Sequence, residues 1–169
     1  MRELGFQRVL FLVHRNQIAK QAMKSYRKVF GGQVVMGRVT GKHQKYDADF
    51  VFATIQTLSK DEILEKYGKT AFDAIVIDEA HHSAANSYKK VMDYFQPKLW
   101  LGMTATPDKR DDNLDGRNIY EIFNHQIAYE IRLQDAMEED LLCPFHYFGI
   151  TDLEVIADAG KSKQEKVEN

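Results

Sequence analysis

Residues 78–82 read Asp-Glu-Ala-His-His, directly after the apolar run Ala-Ile-Val-Ile at 74–77. Two adjacent carboxylates at the end of an apolar segment offer two separable tasks. One can hold Mg2+ through water, because that ion keeps most of its hydration and takes few carboxylates beside phosphate oxygens. The other, projecting in a different direction, can orient and deprotonate an attacking water. Upstream stands Gly68-Lys69-Thr70, which has the ending of a phosphate-binding loop. A different chemistry, a metal cage from Asp78, Glu79, His81 and His82, also uses these residue types. Those four are bunched on one loop, whereas metal cages draw ligands from separated segments or from helical spacing such as H-E-x-x-H. Mg2+ held by Asp78 is the better reading.

A phosphate-binding loop requires G-x-x-x-x-G-K-[ST] between a strand and a helix. Its glycines let backbone amides wrap the phosphates, its Lys reaches the terminal phosphates and its hydroxyl ligates the metal. Gly68-Lys69-Thr70 lacks the first glycine, since Ile63 stands there. A helical pattern precedes it and the strand carrying Asp78 follows it, so no helix N-terminus can receive phosphate. The expectation is a helix cap at Gly68 followed by a polar turn. "GRVTGKH" at 37–43 fails too: its glycines are one residue too close and His43 replaces the hydroxyl.

The elements that must position these residues alternate along the chain. "RVLFLV" (8–13), "QVVMGRV" (33–39), "DFVFATI" (49–55), "FDAIVID" (72–78) and "KLWLGMT" (98–104) have strand length, and the continuous apolar runs fit strands buried on both faces. "NQIAKQAMKSYRKVF" carries Ile18, Ala22 and Tyr26 at helical spacing, with Asn16 as N-cap and Gly31-Gly32 as its end. "TGKHQKYDA" is a polar loop. Helices are expected from Thr57 to about Tyr67 and over 86–95, closed off by Pro97. "GRNIYEIF" and "LQDAMEED" read as helices, "HQIAYEI" as a strand and "PFHYFGI" as a last extended segment. Strands alternating with crossover helices imply an α/β fold with a mostly parallel, doubly wound sheet and flanking helices. Ligands bind such sheets off the carboxyl ends of the strands, where Asp78 and Thr104 both fall.

Composition sets outer bounds. The 169 residues are 44% apolar and 28% charged, ordinary for a globular domain. A net charge of −2 argues against a strongly basic nucleic-acid module, although amides, hydroxyls and helix N-termini can also contact phosphates. Cys143 is the one cysteine, which leaves no intrachain disulfide and suits a cytoplasmic setting. No run has the apolar length of a membrane span, and the first apolar run reads as a buried strand rather than a signal peptide.

"VIDEAH", followed after a helix and a strand by "LGMTATP", resembles motifs II and III of superfamily 2 helicases and translocases. "VLFLVHRNQIAKQA" is similar to motif Ia of the DEAH-type branch that includes the motor subunits of type III restriction enzymes. "FVFATIQTL" resembles the next nucleic-acid-contacting motif. "LGMTATPDKRDD" and "YEIRLQDAMEEDLLCPFHYFGITD" resemble the end of the first motor domain in such bacterial proteins. The likeness runs over residues 6–152, with its motifs in order.

This resemblance implies a RecA-like first motor domain over 1–152, the helicase ATP-binding domain, and a linker or disordered tail over 153–169. It implies ATP and Mg2+ as cofactors and a nucleic acid, DNA before RNA, as partner. Asp78 would help hold the metal, Glu79 would be the general base, and His81 with Thr104, Ala105 and Thr106 would couple hydrolysis to movement. His14, Arg15, Thr54, Gln56 and Thr57 would face the sugar-phosphate backbone. Blander roles stay open: Thr104 and Thr106 as caps of the turn before Pro107, His14 and Arg15 as strand-end polar residues, Gln56 as a helix start. The family's phosphate loop precedes motif Ia and a second motor domain follows. The expectation is therefore a partial motor lacking the phosphate-loop strand, inactive alone, with an open edge at 99–104 prone to self-association. A non-catalytic nucleic-acid-binding or scaffolding module on the same fold is the competing expectation.

Overall fold

The computed structural model describes residues 5–82, 86–106 and 119–142. Six strands form one sheet: β1 (Val9–Val13), β2 (Met36–Thr40), β3 (His43–Gln44), β4 (Phe50–Thr54), β5 (Ala74–Asp78) and β6 (Leu99–Met103). Their order is β3-β2-β4-β1-β5-β6, and every pairing is parallel except the β2–β3 hairpin. In the central strands β1 and β4 all five residues are buried, as apolar runs without alternation require.

Both faces of the sheet are covered. Phe11, Val13, Met36, Phe50, Phe52 and Val76 pack under helix α1 (Asn16–Phe30), whose Ala19, Ala22, Met23 and Tyr26 meet them. Tyr26 stands edge-on to Phe52 and Phe50, with ring centroids 5.5 and 6.0 Å apart. On the other face Leu10, Leu12, Val51, Ile75 and Ile77 pack against α2 (Ile55–Leu58), α3 (Asp61–Leu64) and α4 (Asn86–Tyr94). The expected doubly wound α/β sheet is present.

Several local expectations need correction. Arg15, not Asn16, is the N-cap of α1, and no side chain caps that end; Gly31 ends the helix at φ 58° as expected. The helix foreseen from Thr57 to Tyr67 is two short ones, α2 and α3, broken at Ser59-Lys60. In one helix Leu58 and Ile63 would stand about 140° apart; the break lets both be buried, and Asp61 and Glu62 start the new first turn favourably. The cap falls at Glu65, while Gly68 starts a turn in which its carbonyl accepts the Ala71 N–H. The polar loop at 40–48 contains β3, paired to β2 across Gly41-Lys42. "HQIAYEI" is not a strand: Asn124 and His125 take left-handed φ of 53° and 56°, and Ile127 and Tyr129 are exposed, without an apolar face to alternate against. Helices α5 (Ile119–Ile122) and α6 (Leu133–Glu138) lie where helices were expected. "PFHYFGI" and the 153–169 tail lie outside the described residues.

The chain divides into two units, Met1–Gln126 and Ile127–Asn169. The sheet and every candidate site residue belong to the first. No helix among the described residues is long and apolar enough to cross a membrane.

Candidate functional site

Parallel register brings the carboxyl ends of four strands to one rim. Val13 pairs with Thr54, Leu12 with Ile77, and Asp78 with Met103. His14, Arg15, Gln56, Asp78, Glu79 and Thr104 therefore leave the sheet at the same end, along β4, β1, β5 and β6 in that spatial order.

The chain turns sharply after Asp78. Glu79 adopts φ 54°, a left-handed conformation unfavourable for a residue with a Cβ, and Ala80–His82 follow as a single 3-10 turn. The turn buries Ala80 and folds His81 back toward β6. The His81 imidazole Nδ1 then lies 2.9 Å from Thr104 Oγ1, 3.4 Å from Thr106 Oγ1 and 3.2 Å from Glu79 Oε2. Thr104 Oγ1 also accepts the Thr106 N–H at 3.1 Å, so its own proton is free to go to Nδ1. One ring nitrogen thus has two modes. It accepts from Thr104 when unprotonated, or donates to the Glu79 carboxylate when it carries hydrogen.

Close packing of glycine makes this approach possible. A Cβ at Gly102 of β6 would come within 2.7 Å of the Phe123 ring and 2.9 Å of Ala80 Cβ. The 3-10 turn consequently lies on bare backbone. Asp78 is half-buried, and its pKa is raised, first by burial and then by the neighbouring Glu79 charge. Two adjacent carboxylates in this setting suit a divalent cation that keeps its water shell. No group of three or more His, Cys, Asp or Glu that could cage a metal exists among the described residues.

The nucleic-acid candidates divide. Arg15 and Gln56 are exposed and His14 is half-buried. Thr54 and Thr57 are buried at 6% and 8% exposure, and the Thr54 hydroxyl lies 2.9 Å from that of Thr57. These two hold the start of α2 rather than face solvent. Ala105 is exposed between the two threonines that meet His81. Tyr88 of α4 escaped the sequence reading. The residue is 3% exposed, its hydroxyl has no hydrogen-bond partner among the described residues, and burial together with Asp78 and Glu79 pushes its pKa up to about 12. An aromatic on the buried stripe of a helix gives no sign in sequence that its hydroxyl lies in the field of two carboxylates.

Gly68-Lys69-Thr70 sits at the opposite end of the sheet. It precedes the amino end of β5, where the Lys69 carbonyl accepts the Gln96 N–H at 2.8 Å. The length of β5, about 13 Å, separates that end from Asp78.

A family model described as "Type III restriction enzyme, res subunit" matches residues 1–109. IRC3 of Saccharomyces cerevisiae, provisionally named an ATP-dependent helicase, is 29% identical over 163 residues, 91% of this chain and 22% of that protein. A type I restriction enzyme EcoAI endonuclease subunit of Escherichia coli is 28% identical over 145 residues, 82% of this chain and 17% of the subunit. The chain thus spans about a fifth of the length of these curated relatives. Among solved structures, the Hef helicase domain of Pyrococcus furiosus superposes with a TM-score of 0.56 at 21% identity, covering 70% of this chain and 27% of that one. The likeness establishes a helicase-type RecA-like fold.

Proposed function

Because the chain belongs to the family described as the type III restriction enzyme res subunit, we propose that it forms part of the first motor domain of an ATP-dependent DNA helicase or translocase. One observation carries the reading. His81 Nδ1 lies within hydrogen-bonding reach of both Glu79 and Thr104, so residues on two separate strands form one polar unit at the ligand-binding rim.

In this reading Asp78 would help hold Mg2+, which would supply charge compensation for the phosphates of ATP. Glu79 is the base for the attacking water; its left-handed backbone swings the carboxylate out of the strand's pleat, and 38% of the side chain is exposed. His81 senses that carboxylate. When Glu79 turns to water, Nδ1 is left to Thr104, whose oxygen also fixes the Thr106 amide. The segment 104–106 thereby acquires two hydrogen-bonding states. Arg15 and Gln56 contact the nucleic-acid backbone, and the Thr54–Thr57 pair positions Gln56.

The sequence holds no G-x-x-x-x-G-K-[ST]. The proposal places the phosphate-binding loop and the opposing motor domain outside these residues, and the 169-residue chain alone is not expected to turn over ATP. Among the described residues β6 has β5 on one side and no strand on the other. A further strand, from the same motor or a second copy, would add there.

The test is Glu79→Gln in the intact motor that contains this chain. Nucleic-acid-stimulated turnover should fall about 10²–10⁴-fold while ATP binding is kept. Wild-type turnover in that variant would remove Glu79 from the chemistry, whereas no turnover in the unmutated motor would leave a non-catalytic nucleic-acid module.

A further inference from the structure

The charge of the chain is sharply segregated. Between Leu4 and Tyr46 there are nine Lys and Arg and no Asp or Glu, although the whole chain carries a net charge of −2. The core of that basic stretch is α1. Its Lys20, Lys24, Arg27 and Lys28 are all exposed, while Ala19, Ala22, Met23 and Tyr26 turn toward the sheet. Lys20, Lys24 and Arg27 follow the i, i+4, i+7 pattern of a single stripe, with Lys28 on its flank and about 6 Å between successive positions.

Like charges at this spacing destabilise a helix. Among the described residues no carboxylate lies within ion-pair distance of these four side chains. Elsewhere on the unit two lysines do have carboxylate partners: Lys90 with Asp61 at 2.7 Å and Lys98 with Asp73 at 2.8 Å.

We propose that the outer face of α1, through Lys20, Lys24, Arg27 and Lys28, is a docking track for the phosphate backbone of duplex nucleic acid. It rests on the nucleic-acid reading above and extends it beyond the strand-end residues. The apolar face of α1 is committed to the core, so the helix has none to insert into a membrane. The stripe is a continuation of the rim: Arg15, the N-cap of α1, leaves β1 at the end where Asp78 and Thr104 lie. A single strand would call for stacking aromatics, but Tyr26 and Phe30 face the sheet. A row of point charges without base-reading groups matches a duplex backbone, which offers one charge per about 1.7 Å of axis.

The test uses the 169-residue chain and a labelled duplex of random sequence, with affinity followed by anisotropy across a salt series. The triple variant Lys20→Gln/Lys24→Gln/Arg27→Gln should bind at least about 10-fold more weakly at low salt and lower the log–log salt slope by about 2–3. The charge-retaining triple Lys20→Arg/Lys24→Arg/Arg27→Lys should bind as wild type, and so should Lys60→Gln/Lys69→Gln/Lys89→Gln on other surfaces. Unchanged affinity in the first triple overturns the track. Equal loss in the third shows a general charge effect and also overturns it. Polyglutamate competing as well as duplex per charge, or preference for single strands that the first triple alone abolishes, overturns the duplex assignment. A wild-type chain that binds no duplex at low salt refutes the track outright, while the ATPase reading is judged separately by Glu79→Gln.

Discussion

The two ends of β5 carry similar residue types and use them in opposite ways. At the amino end Asp73 accepts the N–H groups of Gln7 and Arg8 on one oxygen, at 2.9 and 3.0 Å, and Lys98 on the other at 2.8 Å. Arg8 in turn donates to the Ala48 and Tyr46 carbonyls and lies 5.6 Å from the Phe72 ring centroid. Those contacts tie together the starts of β1, β4, β5 and β6. At the carboxyl end burial and then the Glu79 charge raise the cost of ionising Asp78, the backbone is strained at Glu79, and one imidazole nitrogen is shared by three oxygens. The first cluster is closed by its own partners. The second has two arrangements and holds a charge that a ligand would satisfy. That contrast distinguishes a structural clamp from a site.

The comparison breaks most visibly at the glycine on which the second cluster lies. Gly102→Ala puts a Cβ within 3 Å of Phe123 and Ala80. It should cost about 1–3 kcal/mol by overpacking and push the 3-10 turn away, separating His81 from Thr104. Chemical denaturation gives the first effect, and the loss of a His81–Thr104 coupling in a double-mutant cycle gives the second. An unaltered coupling would mean that the turn is not held by this contact.

A smaller effect sharpens the clamp. The lysine and the two amides hold Asp73 down at about 2 from the usual 3.8. Its contribution is therefore complete above the unfolded pKa and is lost as pH falls through about 2. Asp73→Asn should cost about 1–2 kcal/mol at neutral pH, as expected for a partly solvated charged hydrogen-bond acceptor. The difference from wild type should shrink below about pH 4 and vanish only once pH is below about 2. A difference constant with pH would assign the loss to packing instead.

The sheet was legible because its strands are unbroken apolar runs and its helices are periodic. The position of the candidate acid pair was legible because Asp78 and Glu79 follow an apolar run and so leave the sheet at the carboxyl end of β5. What escaped depends on information that is not local. Leu58, Ile63 and Leu64 are all apolar in a run without Pro or Gly, and only the joint burial of Leu58 and Ile63 forces the break between them. Ile127 and Tyr129 alternate like a strand, yet both are exposed and neither lies in one. Tyr88 reads as core, and its hydroxyl gains meaning only beside Asp78 and Glu79. Net charge concealed a basic helix because the acids sit elsewhere in the chain.

The most direct test sets the aspartates at the two ends of β5, Asp73 just before it and Asp78 its last residue, against each other in the intact motor. ATP turnover is measured for Asp78→Asn and Asp73→Asn below the melting temperature of each. The account predicts that Asp78→Asn loses turnover by about 10²-fold or more, since metal-phosphate stabilisation is worth several kcal/mol. Its thermal stability should match or exceed wild type, because the raised pKa marks a carboxylate whose charge the fold disfavours. Asp73→Asn should melt lower and keep its turnover. Full turnover in Asp78→Asn, or a comparable loss in a folded Asp73→Asn, would contradict the division of β5 into a clamp and a site.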